Sequence, residues 1–152
     1  MSKAFTKEDV DPPERSGRVR SASGLPPGAV NYITRRGAKR LQAELDGLRR
    51  TNFESARIAE LEEMLASASV VDPPDSVDKS VAFGAVVTVN DGAIKHTYRI
   101  VGVDEVDFEA DAVTWISPIG RTLLAAELGE RVTLPGVSFG PARIVGIGYD
   151  RD

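Results

Sequence analysis

Residues Leu45 to Glu63, LDGLRRTNFESARIAELEE, place Arg49 and Arg50 beside Thr51, Asn52 and Phe53, with helix-forming sequence on either side. Adjacent cations at the end of a projection repel one another unless something anionic receives them, so this stretch points to binding an anionic surface. Holding a metal would instead need paired oxygen ligands. Only Glu54 lies near the turn, and one carboxylate beside two arginines makes a poor magnesium site. A second basic group, Arg35, Arg36, Lys39 and Arg40, reads in two ways. It is a patch facing RNA or an acidic protein surface, or a solvated helix face supported by pairs such as Arg40–Glu44. Ser117-Pro118-Ile119-Gly120 has the form of a strand-to-helix connection, with Ser117 as cap and Pro118 in the first turn. The run Asp104, Glu105, Asp107, Glu109, Asp111 lacks the glycine and terminal glutamate of a calcium loop and reads as a solvated hairpin connection. His96 reads as a surface or half-buried strand residue, and Phe83 and Trp115 as core aromatics. No nucleophile–base pair, phosphate loop or metal-ligand cluster stands out, so no catalytic residue, metal site or cofactor is assigned and the chain is not read as an enzyme.

The elements that must carry these residues are bounded by composition. The 152 residues, 41% hydrophobic and 28% charged, suit one ordinary domain or a small domain with an appendage. No run is long and apolar enough for a membrane span, and the first twenty residues lack the apolar segment of a signal peptide. With no cysteine and one histidine, disulfides and thiolate metal sites are excluded, and a cytoplasmic location is the expectation. The net charge of −4 argues against a generic nucleic-acid binder. The charge is uneven: residues 77–152 carry seven Lys/Arg against eleven Asp/Glu, whereas residues 31–76 carry seven against eight. In the latter segment the bases come first and the acids later.

Residues 1–29 are rich in Pro, Ser, Gly and Arg and read as a disordered tail. Tyr32-Ile33-Thr34 opens a helix with Thr34 as N-cap. Ala38, Leu41, Leu45 and Leu48 form one helical stripe; Ile58, Leu61, Leu65 and Ala68 form a second, flanked by Met64. The connection between them is short enough to require an antiparallel hairpin over residues 30–70, with arms about 24 Å long at 1.5 Å per residue. Val70 to Ser76, with prolines 73 and 74, breaks the second helix, and residues 71–78 form a stiff linker. From residue 79 to 151 the period changes. Strands are expected over 81–90, 95–104 and 112–117, a helix over 120–130 stopped by Gly129, and two more strands at RVTLP and ARIVGIGYD. Asn90-Asp91-Gly92 signals a hairpin turn. The fold class is therefore α+β: a helical hairpin, then a small antiparallel sheet with one helix.

FGAVVTVND followed by YRIVGVDEVD, then ISPIGRTLLAAELGERVTL and a final IVGIGY, resembles the C-terminal domain of the GreA/GreB transcript-cleavage factors. NYITRRGAKRLQAELDGLR resembles the start of their N-terminal coiled coil. The resemblance spans about residues 30–150, and Ser117 to Gly120 followed by Leu123-Leu124 is its most specific part. It implies an FKBP-like C-terminal domain that docks on the rim of the secondary channel of bacterial RNA polymerase, with Ser117, Pro118, Ile119 and Gly120 in the docking surface. It further implies a coiled coil that enters the channel, where Arg35, Arg36, Lys39, Arg40, Arg49 and Arg50 would face polymerase or RNA. In the family, acidic residues at the coiled-coil tip help hold a second magnesium ion, and the polymerase itself cuts the RNA. Here the arms are shorter and the tip reads Arg-Arg-Thr-Asn-Phe. The reading is thus a Gre-type elongation regulator without transcript-cleavage stimulation. Two alternatives stand beside it. One is a true cleavage-stimulating factor working through Glu54. The other is an FKBP-like interaction module or prolyl isomerase, against which the 6% aromatic content weighs.

Overall fold

The computed structural model describes residues 25–51 and 56–151. The expected tail therefore lies outside the described residues except for 25–29, as do Asn52, Phe53 and Glu54 of the expected turn.

The first element is a strand where a helix start was expected. β1 (Asn31–Thr34) pairs in parallel with β2 (Ala68–Val71), Asn31 opposite Ala68 and Thr34 opposite Val71. Tyr32, Ile33 and Thr34 are aromatic or β-branched, and the alternation buries Asn31 and Ile33 while leaving Tyr32 and Thr34 half-buried. Four residues are too few for helical periodicity to compete. Between these strands lie α1 (Arg35–Arg50) and α2 (Ala56–Ser67). Thr34 is the N-cap of α1, in extended conformation, its hydroxyl accepting from the Gly37 N–H at 3.0 Å. The two expected stripes share one apolar cluster: Leu41, Leu45, Leu61 and Met64 are buried with Ile33, and Ala38, Leu48, Ile58, Leu65 and Ala68 pack around them. Packing of these stripes, more than intrinsic propensity, holds helices of this length.

The second unit is a five-stranded sheet in the order β5-β4-β3-β7-β6, formed by β3 (Ala85–Asn90), β4 (Lys95–Val101), β5 (Ala112–Thr114), β6 (Arg131–Val132) and β7 (Ala142–Tyr149). β3 and β4 form the expected hairpin, Asn90 opposite Lys95, with Gly92 at a φ of 101° in the turn. The sheet is mixed rather than antiparallel, because β5 runs parallel to β4. The segment 102–111 is thus a crossover built from successive turns, not a hairpin connection, and residue-type alternation carries no information on strand direction. The helix α3 (Pro118–Leu124) is shorter than expected. Its cap is Ala125, and Gly129 occupies a separate turn at a φ of 90°. Ala85, Val87, Val89, Ile100, Leu123, Ala142 and Ile144 form the core, with Phe83 and Trp115 packed against it. Tyr32 from β1 lies against both aromatics, its ring centroid 5.8 Å from Phe83 and 5.2 Å from Trp115. His96 stacks on Phe139 at 4.0 Å.

Candidate functional site

Ser117 to Gly120 form the turn from β5 into α3. The Ser117 hydroxyl accepts from the Gly120 N–H at 3.0 Å and donates to the Thr114 carbonyl at 2.7 Å. Pro118 occupies the first helical turn, where its missing N–H costs no bond. Gly120 is buried, and a β-carbon there would overlap the Thr114 carbonyl oxygen. Ile119 packs on the sheet core. Ser117 and Gly120 are thus engaged in closing the turn, whereas Pro118 is exposed, and so is Arg121 one turn on.

The basic residues of α1 are distributed over several partners. Arg35 pairs with Asp72 beyond β2. Arg36 reaches Glu109 at 2.8 Å and Asp150 at 3.6 Å, and Arg40 reaches the same Glu109 at 3.2 Å while lying over the Phe108 ring. Glu109 is held below the usual carboxylate range, first by its hydrogen bond to Arg36. Lys39 is exposed. Arg49 bonds Glu62 of α2 at 2.6 Å, and Arg50 is exposed at the end of α1. Glu44 does not pair with Arg40 as expected. Arg57 of α2 takes it with two nitrogens, at 2.8 and 2.9 Å, and also bonds Glu60 at 2.7 Å. The bond to Arg57 lowers the Glu44 pKa and raises that of Arg57. Two ion pairs of opposite polarity therefore tie α1 to α2.

The acidic run at 104–111 is not simply solvated. Glu105 is 3% exposed. One carboxylate oxygen accepts from the Thr34 N–H and the Gly102 N–H, each at 2.8 Å, and the other accepts from the Thr34 hydroxyl at 2.5 Å. Burial pushes the Glu105 pKa up, and these bonds oppose that shift. Asp104 accepts from the Asn31 amide at 3.0 Å. Glu105 lies 71 residues from Thr34, and within a run of acids nothing in the sequence distinguishes it; its place between Gly102 and Phe108 is the nearest to a signal. Beside it, Arg36, Arg40, Phe83, Arg99 and Tyr149 help line a cleft of about 40 Å³, room for a few waters. Arg99 is held there by Asp111 and Asp150.

Among the described residues, no group of three or more His, Cys, Asp or Glu is arranged to hold a metal ion, and no helix is long and apolar enough to cross a membrane. The arrangement presents exposed candidate residues at two places. Its two candidate groups sit apart in the fold, Ser117–Gly120 at the β5–α3 turn and the arginines along α1.

Residues 76–142 match the family described as "Transcription elongation factor, GreA/GreB, C-term". The chain is 39% identical over 88 residues to transcription elongation factor GreA of Acidiphilium cryptum, covering 57% of this chain and 56% of that protein. It is 38% identical over 95 residues to GreA of Syntrophotalea carbinolica, covering 60% of each. The chain thus spans less than two thirds of the length of these relatives. Among solved structures, the elongation factor GreA/GreB from Nitrosomonas europaea aligns over 80% of this chain and 99% of its own, at 25% identity and a TM-score of 0.42. Gfh1 of Thermus thermophilus, a GreA factor homologue, aligns over 79% and 99%, at 18% identity and a TM-score of 0.42. Residues 76–142 thus match the C-terminal domain of the GreA/GreB transcription elongation factors, and the chain is similar to GreA proteins.

Proposed function

We propose that this protein is a regulator of transcription elongation that binds bacterial RNA polymerase at the secondary channel, without itself stimulating transcript cleavage. In this reading residues 30–70 form an antiparallel helical hairpin that acts as a finger, 71–78 a proline-rich linker, and 79–151 an FKBP-like docking domain; the protein works in the cytoplasm. Pro118, beside Ser117, Ile119 and Gly120, presents the docking surface. Arg50, with Lys39 and Arg35, faces polymerase or RNA.

The observation that carries the reading is the use made of the acids along the helix pair. Glu44 and Glu60 are bound by Arg57, and Glu62 by Arg49. Carboxylates engaged by guanidinium groups are poor magnesium ligands, because a metal would have to displace a cation already held. The engagement of these three acids supports a finger that occupies a channel over one that delivers a metal.

Binding to core RNA polymerase, combined with a cleavage assay on stalled elongation complexes, tests this. Wild type should bind and should leave the transcript length unchanged. Pro118→Glu should weaken binding about tenfold without unfolding the chain, since a glutamate in the first turn of α3 is compatible with the helix dipole. Absence of binding by wild type would end the proposal, and transcript shortening by wild type would replace it with the cleavage-stimulating alternative.

A further inference from the structure

Two apolar clusters, one in the helix pair and one in the sheet, are connected by a single covalent crossing that contains Asp72, Pro73 and Pro74. A covalent tether alone leaves the relative direction of two bodies free within its flexibility. Further constraint comes from the Tyr32 ring against Phe83 and Trp115, from Arg36 beside Asp150, and above all from one segment, 102–111, which meets the base of α1 at successive points. The Tyr32 carbonyl packs so closely on Gly102 that a β-carbon there would overlap it. Asp104 holds Asn31, Glu105 holds Thr34, and Glu109 holds Arg36 and Arg40.

These contacts differ in kind. The pairs at Glu109 are partly exposed, with Arg36 at 36% and Arg40 at 37%, so solvent screens them and side-chain freedom opposes them. Glu105 is buried, and two of its three bonds cross the joint. Its carboxylate ties the backbone of Gly102, at the end of β4, to both the backbone and the hydroxyl of Thr34, where β1 becomes α1. Thr34 already caps α1 through Gly37, so Glu105 is not needed to close that helix turn. Its oxygens instead fix the point about which α1 would pivot. Gly37 carries no β-carbon at the place where the Glu105 carboxylate lies, so both sides of the joint are shaped to this one group.

We propose that Glu105 is a positioning residue: its carboxylate locks the helix pair at one angle to the sheet domain and so sets the direction in which the helix tip points. The lock depends on hydrogen-bond geometry, not on charge. Glutamine can reproduce it, its carbonyl oxygen accepting from the Thr34 and Gly102 N–H groups while its amide donates to the Thr34 hydroxyl. Methionine fills the same volume with no such bonds. The inference rests on the proposed finger only for its consequence, because the angle is a property of the free protein.

The full chain has no cysteine, so Ala43→Cys on α1 and Thr133→Cys beyond β6 give a unique pair of spin-label sites, both exposed. Distance distributions would be measured by pulsed electron–electron resonance in three Glu105 variants, with circular dichroism and urea unfolding on the same samples. Wild type and Glu105→Gln should give the same narrow distribution. Glu105→Met and Glu105→Ala should broaden it about twofold or shift its mean while the helical signal is retained. A distribution unchanged in folded Glu105→Met, or equal broadening in Glu105→Gln, would overturn the proposal. So would loss of all folded signal in both Glu105→Met and Glu105→Ala, which would assign Glu105 to global folding. Failure to bind polymerase, measured separately, bears on the finger and leaves the angle measurement standing.

Discussion

Gly37 lies directly against the Glu105 carboxylate: a β-carbon at position 37 would overlap Oε1 of a side chain 68 positions away in sequence. Elsewhere in a helix, exchanging glycine for alanine stabilises by about 1 kcal/mol through backbone entropy. Here the sign should reverse. Gly37→Ala is expected to destabilise the protein by about 2–3 kcal/mol, because the buried carboxylate must give up bonds it cannot replace with water. Urea unfolding measures this. The diagnostic is the double variant with Glu105→Ala: once the carboxylate is gone, only the β-carbon of position 105, at 3.1 Å, remains close, and most of the cost of Gly37→Ala should disappear. A single-variant cost that persists in that background would mean that another contact demands the glycine.

Gly120 and Gly148 make a matched pair for the second prediction. The β-carbon of an alanine at 120 would overlap the Thr114 carbonyl, whereas at 148 it would meet nothing within 4 Å. Gly120→Ala should therefore cost about 1–3 kcal/mol as the β5–α3 turn shifts. Gly148→Ala, on a strand with no positive φ, should change stability by no more than about 0.5 kcal/mol. Thermal unfolding of the two side by side decides it. Equal effects would show that close approach at Thr114 is not what requires glycine. The result also governs how polymerase binding is read, because a binding loss in Gly120→Ala would reflect a distorted turn, while Pro118 can be changed without that penalty.

The contrast between these glycines and the helical stripes shows what was legible beforehand. Leu41, Leu45, Leu61 and Met64 were found because burial repeats at helical spacing, and Thr34 and Ser117 because a cap is a local bond to a residue three positions on. β1 looks like a helix start in sequence because four residues, three of them aromatic or β-branched, beside a strong helix carry no period of their own. The parallel pairing of β5 was invisible because direction depends on the path of residues 102–111. Glu105 and Glu109 look solvated in sequence because their partners, Thr34, Arg36 and Arg40, lie about 70 residues away, and a long-range bond leaves no mark on local spacing. Arg35, Arg36, Lys39 and Arg40 lie on the expected helix, whereas Arg49 and Arg50, expected in the turn, form its last residues. Which of them remain exposed depended on those same distant acids.

The ion pairs between α1 and α2 should behave as exposed pairs do. Arg49 and Glu62 are 52% and 49% exposed. A double-mutant cycle on them should give a coupling of about 0.2–1 kcal/mol that fades in high salt. The charge-swapped Arg49→Glu/Glu62→Arg protein should recover most of the loss seen in either single variant. Recovery of stability without recovery of polymerase binding would assign Arg49 a contact outside the chain. Recovery of both would make its role internal.

Acid and base should pull stability in opposite directions at two carboxylates. Asp91 accepts from His96 and from the backbone N–H groups of Ala93 and Ile94, and these bonds, His96 first, lower its pKa from 3.8 to about 2. A depressed folded-state value means stability present above the unfolded value and lost as pH falls from about 4 toward 2. Glu105 is the reverse case. Burial raises its pKa, so its contribution is complete below the unfolded value near 4.5 and diminishes as pH rises through the raised one. Urea midpoints from pH 3 to 8 should therefore diverge in a fixed order. Asp91→Asn should lose least on acidification, its deficit against wild type shrinking as pH drops. Glu105→Gln, which does not titrate, should gain on wild type as pH rises from about 4 to 7. If Glu105→Gln instead fell further behind at neutral pH, the ionised carboxylate would be the favoured form at the joint, and its three hydrogen bonds would outweigh the cost of burying the charge.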